Sequence, residues 1–189
     1  YGNVDGSGEI ELGLMLLGFA LLGWVQRQAP DGSMWQRSDA GMAVMFAGVG
    51  LLHFCTQAFR RRVTYRRTGY AAPRRREQVR AAFIAMPAAL LLALAVARHD
   101  QLPATLPVAL VGLVLAALFG YKLAPGAAWK WGVAAVQGLG ALAIALWVTR
   151  FSVALQLLFV LFGLIWVASG AASLVLYLRH TKAAPLEAE

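Results

Sequence analysis

The sequence predicts an all-α integral membrane protein in which six transmembrane helices form three antiparallel hairpins. Hydrophobic residues make up 60% of the 189-residue chain and charged residues only 14%, against roughly 25% charged residues in a typical soluble domain. A chain so poor in charge cannot cover a water-facing surface, so lipid is expected to be the solvent for much of it. Runs such as MPAALLLALAVA show no alternation of apolar and polar residues, which argues against a β-barrel.

Six apolar stretches are candidates for crossing the bilayer, and they lie at residues 10–25, 41–59, 81–97, 104–123, 129–149 and 151–178. A spanning helix needs about 20 apolar residues, with about 17–25 tolerated. The first and third stretches are short, and the sixth is long enough to tilt or protrude. Short outer connections at 98–103 and 149–151 favour three consecutive helical hairpins joined on the cytoplasmic side. We treat the chain as a single transmembrane domain, 1–189.

The segment before the first apolar stretch, YGNVDGSGEIE, is acidic and rich in glycine. It begins at Tyr1 without a methionine and has no basic region of the kind that precedes a secretory signal. We therefore expect the first apolar stretch to be a retained helix. The DGSG sequence lacks the lysine and the strand–helix context of a phosphate-binding loop.

A loop at 60–80 carries nine arginines and determines the expected orientation. Basic residues favour the cytoplasmic side in short loops. With six spans and this loop inside, both termini are cytoplasmic and thirteen of the seventeen basic residues lie inside. The four outside are Arg27, Arg37, Arg98 and Arg150.

The same loop has two interpretations beyond topology. It can bind anionic lipid headgroups near the membrane surface, or it can dock an acidic partner protein or a phosphorylated ligand, which arginine forks suit. Nucleic acid is not an expected partner, because no folded soluble module accompanies the charge. The arginines expected to contact lipid or a partner are Arg60, Arg61, Arg62, Arg66, Arg67, Arg74, Arg75 and Arg76.

A few polar side chains inside the spans could line a polar path: His53, Gln57, Gln137 and Gln156. Polar groups in hydrocarbon are costly and tend to face a bundle interior or cavity. His53 could therefore handle protons, bind a solute or ligate haem, or it could be an interfacial histidine bonded to a neighbour's backbone carbonyl. Haem would need a second intramembrane histidine, and the other two histidines lie at or beyond helix ends.

The sequence supplies no catalytic, cofactor or metal constellation. No acidic residue lies in the middle of any predicted span, which weighs against a proton-coupled transporter and against carboxylate-based metal chemistry. The single cysteine, Cys55, excludes an internal disulfide and is expected to be a small buried hydrophobe. Pro87 is expected to kink the third span, and Pro107 to lie in the first turn of the fourth.

Small residues are the expected contacts between helices, because lipid gives apolar helices no hydrophobic reason to pair. Ala134 and Gly138 lie four residues apart in the fifth span, and Gly163 and Gly170 lie one heptad apart in the sixth. We interpret these residues as helix-packing positions rather than ligand contacts.

The C-terminal hairpin carries a resemblance to a known family. Its features are Gly132, Gly138 and Trp147, a very short turn, the GLIWVASGAASL segment and a basic exit at Arg179. This pattern resembles one repeat of the HdeD-like acid-resistance membrane proteins, and the first hairpin follows it more loosely. The resemblance implies a six-helix bacterial inner-membrane protein linked to stress tolerance, with no established catalytic residue.

These observations favour a non-enzymatic membrane protein, either HdeD-like or an accessory subunit of a membrane complex, paired with itself or with another membrane protein. The alternative is a channel or carrier for a small neutral solute. A third hypothesis is an enzyme acting on lipids or quinones, with the arginine loop holding a phosphate headgroup.

Overall fold

The computed structural model describes residues 5–31, 33, 38–64, 105–123 and 128–181, and every regular element among them is helical. Three of the described helices are long and apolar enough to cross a membrane: Ser7–Gln28, Trp129–Trp147 and Phe151–His180. The predicted all-α class and the prediction of membrane-spanning helices are confirmed at this level. The third predicted span, 81–97 with Pro87, lies outside the described residues.

The described helices are α1 (Ser7–Gln28), α2 (Ser38–Phe59), α3 (Thr105–Leu123), α4 (Ala128–Trp147) and α5 (Phe151–His180). Their ends agree with the predicted spans to within a few residues, and α1 begins three residues earlier than predicted. α2 continues without a break into a π-helical segment, Arg60–Thr64. The predicted loop at 60–80 therefore starts too early, because its first five residues are helical. Pro107 lies in the first turn of α3, as expected.

Lys130 is a buried basic residue at the start of α4, where it is 5% exposed. Its ammonium group lies 5.6 Å from the centre of the Trp129 ring, over the face that attracts cations. The adjacent aromatic ring therefore gives the cationic end of this side chain a favourable contact.

The N-terminal unit, Tyr1–Ala72 with Trp166–Glu189, contains α1, α2, the π-helical segment and the second half of α5. α1 and α2 are antiparallel, since Gly41 near the start of α2 lies against Leu22 near the end of α1. α1 meets α5 at two glycines. Gly6 has a left-handed φ of 74°, and a Cβ there would lie 2.8 Å from the Ser173 Cβ atom and nearer still to the Gly170 carbonyl oxygen. Only glycine fits both the conformation and the contact.

The central unit, Pro73–Ile165, contains α3, α4 and the first half of α5. α3 and α4 are antiparallel, because Gly112 faces Ala141 while Gly120 faces Trp131. α4 joins α5 through three residues, 148–150, and the Ala154 amide donates to the Arg150 carbonyl oxygen at 2.9 Å to start α5. The core contains large side chains that are almost fully buried: Val108, Phe119, Leu158 and Phe162.

Across the described residues, side-chain polarity is distributed in the opposite way to a water-soluble protein. Large apolar side chains face outward, with Phe46 75% exposed and Trp147 87% exposed. Acidic and amide side chains face inward, with Glu9 1% and Gln137 0% exposed. Such a surface is stable where the solvent is hydrocarbon.

Replacing Gly170 with leucine is expected to lower the free energy of unfolding by about 1–3 kcal/mol, because the close contact between α5 and the start of α1 leaves no space for a side chain. A Cβ at this position would lie 2.6 Å from the Gly6 carbonyl oxygen and 2.8 Å from the Ile10 nitrogen, and neither backbone atom can move cheaply. Gly23→Leu in α1 is the control, since nothing lies within 4 Å of its Cβ position. Denaturant unfolding in mild detergent measures both; equal stability of the two variants would contradict the α1–α5 contact.

Candidate functional site

A polar cluster joins α1, the end of α2 and the second half of α5 within the N-terminal unit. Its members come from Asp5 just before α1, from the first two turns of α1, from α2 with its π-helical extension, and from one face of α5. They are Asp5, Ser7, Glu9, Glu11, His53, Arg60, Thr64, Ser169 and Tyr177.

Three carboxyl side chains are buried at the N-terminal end of α1: Asp5, Glu9 and Glu11. Negative charge is favoured there, because the unpaired amides and the helix dipole place partial positive charge at a helix N-terminus. Successive helical residues are separated by about 100° around the axis, so Glu9 and Glu11 point to nearly opposite sides. One glutamate therefore reaches α5 and the other reaches α2.

Asp5 is the centre of the largest network in the cluster. Its Oδ1 accepts from the Ser7 amide at 3.2 Å and from the Ser7 hydroxyl at 2.9 Å. Its Oδ2 accepts from the Thr64 hydroxyl at 2.7 Å. Arg60 Nε donates in turn to Ser7 Oγ at 2.7 Å, so a guanidinium and a carboxylate are joined through one hydroxyl. The network connects the start of α1 to the end of α2.

Thr64 also connects this network to α5. Its carbonyl oxygen accepts a hydrogen bond from the Tyr177 hydroxyl at 3.1 Å. Further along α1, Glu9 Oε2 accepts from the Ser169 hydroxyl at 2.6 Å. Ser169 and Tyr177 lie eight residues apart, together with buried Ser173, on the face of α5 that meets α1. These contacts make α5 the third wall of the cluster.

His53 binds a carboxylate, not the backbone carbonyl that was one of the two sequence interpretations. Its Nδ1 lies 2.7 Å from Glu11 Oε1. The contact is an ion pair when the imidazole is protonated and an Nδ1–H hydrogen bond when it is neutral. The His53 side chain is 59% exposed, whereas that of Glu11 is 10% exposed. The buried acid therefore orients an imidazole that remains open on its other side.

The open side of His53 forms part of a groove along α2, which we call the α2 groove. Its volume is about 450 Å³. Its apolar members are Gly50, Phe54 and Ala58, and its polar members are His53, Gln57, Arg61 and Arg62. Four of the residues selected from the sequence thus share one surface.

The arginines selected from the sequence differ in their surroundings. Arg60 is half-buried in the polar cluster, whereas Arg61 and Arg62 are exposed in the α2 groove. Arg66, Arg67, Arg74, Arg75 and Arg76 lie outside the described residues.

The four polar residues proposed to line a path belong to two different units. His53 and Gln57 belong to the N-terminal unit, while Gln137 and Gln156 belong to the central unit. Gln137 is fully buried, and neither atom of its amide has a hydrogen-bond partner among the described residues. Gln156 is half-buried and does have a partner interaction.

The small residues selected for packing are used inside the units. Gly138 is buried with its Cβ position 3.7 Å from Leu113, and Ala134 lies 3.5 Å from the Cβ position of Gly120. Gly170 meets the start of α1, and Gly163 is buried in α5. The contacts that the structure shows for Ala134, Gly138 and Gly170 are therefore contacts within the chain.

Cys55 is exposed, so the expectation of a small buried hydrophobe is wrong. It lines a smaller groove of about 250 Å³ together with Ser7 and Leu174. Within the described residues, no group of three or more histidine, cysteine or acidic side chains is placed to hold a metal ion.

Sequence reasoning missed the acidic members of the cluster. DGSGEIE was interpreted only as an acidic, glycine-rich segment before a retained helix, and the absence of acids from the middle of the spans was held against a proton-coupled transporter and carboxylate-based metal chemistry. The available signal was the acidic pair at Glu9 and Glu11, two residues apart, immediately before an unbroken apolar run. Residues two apart on a helix point to nearly opposite sides, so one acid of such a pair can contact each neighbouring helix.

No family model matches the chain, and no curated protein or solved structure matches it.

Replacing Thr64 with valine is expected to lower the free energy of unfolding by about 1–3 kcal/mol, because the buried Asp5 carboxylate loses one of its donors. Valine keeps the shape of threonine, so the change isolates the hydroxyl. Thr56→Val on α2 is the control, since Thr56 is half-buried and makes no hydrogen bond to the cluster. Unfolding in detergent compares the two variants, and equal losses would show that the hydroxyl–carboxylate contact has no special role.

Proposed function

We propose that this chain is a non-enzymatic integral membrane protein with six crossings, arranged as three hairpins in a bacterial inner membrane, with both termini in the cytoplasm. The observation that carries the proposal is the outward-facing apolar surface around inward-facing acids and amides, exemplified by Trp147 and Glu9. Three described helices have the length and composition to cross a bilayer. Thirteen of seventeen basic residues fall on the cytoplasmic side of the six-crossing arrangement.

The pairing within the polar cluster supports a structural role for its acids. Asp5 binds Thr64, Glu9 binds Ser169, and Glu11 binds His53, so each acid connects α1 to another helix. Breaking one partner of a buried charged contact leaves an uncompensated charge and costs several kcal/mol. The acids thus hold α1, α2 and α5 together through these contacts.

Two roles fit such a bundle: a stress-related protein of the HdeD-like kind, and an accessory subunit of a membrane complex. The first is supported by the pattern of Gly132, Gly138 and Trp147 with the GLIWVASGAASL segment. The second is supported by exposed apolar side chains on α4, such as Leu146, which is 74% exposed. Acid survival of a deletion strain separates them, since survival equal to the parent contradicts the stress role.

The proposed orientation predicts which residues chemical labels reach from outside the cell. In a Cys55→Ser background, a cysteine introduced at Arg74 should react with an impermeant maleimide only after the membrane is opened. A cysteine introduced at Asp31, in the connection between α1 and α2, should react in intact cells. Labelling of position 74 from the exterior would refute the six-crossing orientation.

One observation favours a second candidate function, a channel or carrier for a small neutral solute. Gln137 is fully buried with both amide atoms unpaired among the described residues. An unpaired buried amide costs on the order of 1–3 kcal/mol, so a polar occupant beside it would recover that energy. The antiparallel contact of Gly112 with Ala141 places Gln137, one turn earlier in α4, level with Ala116.

Liposome flux of small neutral solutes distinguishes the two candidates. If Gln137 lines a path, Gln137→Leu should reduce flux at least tenfold, while Gln156→Leu tests the second glutamine of the same unit. If Gln137 is only an unpaired core residue, wild-type flux should equal that of empty liposomes. Gln137→Leu should then raise the free energy of unfolding by about 1–3 kcal/mol.

A further inference from the structure

We propose that the α2 groove binds one anionic phospholipid, with the phosphate at Arg61 and Arg62 and one acyl chain along Gly50 and Phe54. The proposal rests on the proposed membrane placement and adds to it a specific ligand class and a specific place. It differs from general attraction between a basic loop and the membrane surface, because it requires both a cationic end and an apolar end of one groove.

The cationic end is formed by two adjacent guanidinium groups. Arg61 and Arg62 are exposed, and neither makes an ion pair with a described residue. Arg60 is different, since its Nε is already bonded to Ser7. Guanidinium groups bind phosphate oxygens through paired N–H donors, so two arginines at the mouth of a groove, without an ion pair among the described residues, suit a phosphate headgroup.

The apolar end runs along α2 toward its N-terminus. Gly50, Phe54 and Ala58 recur every four residues and therefore form a stripe on one helical face. Phe54 is 71% exposed, and nothing lies within 4 Å of a Cβ at Gly50. Gly50 and Arg61 are about 16 Å apart along the helix. This is close to half of the roughly 30 Å hydrocarbon core, the depth that an acyl chain of one leaflet occupies.

Polar groups between the two ends match the middle of a phospholipid. His53 and Gln57 lie one turn apart in the groove, where the glycerol and ester groups would be. Glu11 holds the His53 Nδ1 and leaves Nε2 for a ligand. The Nε2–H of the imidazolium form can donate to one ester carbonyl of the lipid, and the Gln57 amide can donate to the other. Glu11 is thus a positioning residue for the groove.

The occupant is assigned as a membrane lipid and not a free phosphate compound, because half of the groove is apolar. A soluble phosphate ester would leave Gly50, Phe54 and Ala58 without a partner. An acidic peptide would satisfy the arginines but would gain little from a smooth apolar stripe beside a glycine.

Native mass spectrometry of the full chain in mild detergent, with equal amounts of phosphatidylglycerol and phosphatidylcholine, tests the assignment. The wild type should retain phosphatidylglycerol in preference to phosphatidylcholine. Arg61→Gln with Arg62→Gln should reduce its retention about tenfold or more. Arg179→Gln removes an exposed positive charge at the end of α5 and should leave retention nearly unchanged.

A second pair of variants tests the apolar end without altering charge. Gly50→Leu should fill the groove and reduce retention several-fold. Gly48→Leu adds the same side chain to the same helix, also into open space, and lies outside the groove. Both variants should unfold like the wild type, so a difference in retention reports on the groove.

Three results would overturn the proposal. These are equal retention of the two lipids by the wild type, equal retention by the two glycine variants, and full displacement of lipid by glycerol 3-phosphate at the same concentration. The last result would show that the acyl chain contributes nothing. The assay is made in detergent, so it is independent of the labelling experiment at position 74, which tests the orientation. A correct orientation with no lipid preference refutes the groove alone.

Discussion

The arrangement of the N-terminal unit depends on one constraint: three acids at the start of α1 lie inside a bundle whose outer surface is apolar. Water is not available to solvate Asp5, Glu9 and Glu11, which are all buried. Each must find its donor within the protein, since a buried charge without one is far more costly than the contacts it makes. Because the donors belong to α2, its π-helical extension and α5, satisfying the acids also positions those helices. The hydrogen bonds determine how α1, α2 and α5 are aligned along one another. Apolar packing is less directional, since lipid contacts apolar side chains as well as another helix does.

Small residues make those hydrogen bonds possible. Ser169 reaches Glu9 at 2.6 Å only because α5 approaches α1 closely, and the approach occurs where Gly170 meets Gly6. A side chain at either glycine would separate the helices and stretch the neighbouring polar contact. The glycines therefore allow a short distance between α1 and α5, and the buried acids form hydrogen bonds across that distance. The partner of Gly170 could not be read from the sequence, because Gly6 lies far from it along the chain.

The sequence was sufficient for the helical class and for the apolar helices that the structure describes, because these follow from composition and from short-range periodicity. Helix ends were less accurate, as Arg60–Thr64 shows: charge suggested a loop, but hydrogen bonds from Thr64 to Asp5 and from Tyr177 to Thr64 keep the chain helical. The cluster itself could not be predicted, since the partners that it joins from different helices are separated by between 42 and 160 residues along the chain. Local sequence patterns extend over a few residues and cannot predict contacts between such distant positions. The contact between Glu11 and His53 is an example.

Neighbouring arginines have different surroundings at the end of α2. Arg60 turns toward Ser7 and joins the cluster, while Arg61 and Arg62, in the same π-helical segment, are exposed in the α2 groove. A run of arginines can thus serve two purposes, because successive residues of a helix point in different directions. In the proposed orientation both purposes are served at the cytoplasmic interface, where long cationic side chains reach the headgroups at modest cost. The acids of α1 lie at the same end, so they meet their donors near the interface instead of at the bilayer centre. This placement reconciles buried acids with helices that are otherwise suited to hydrocarbon.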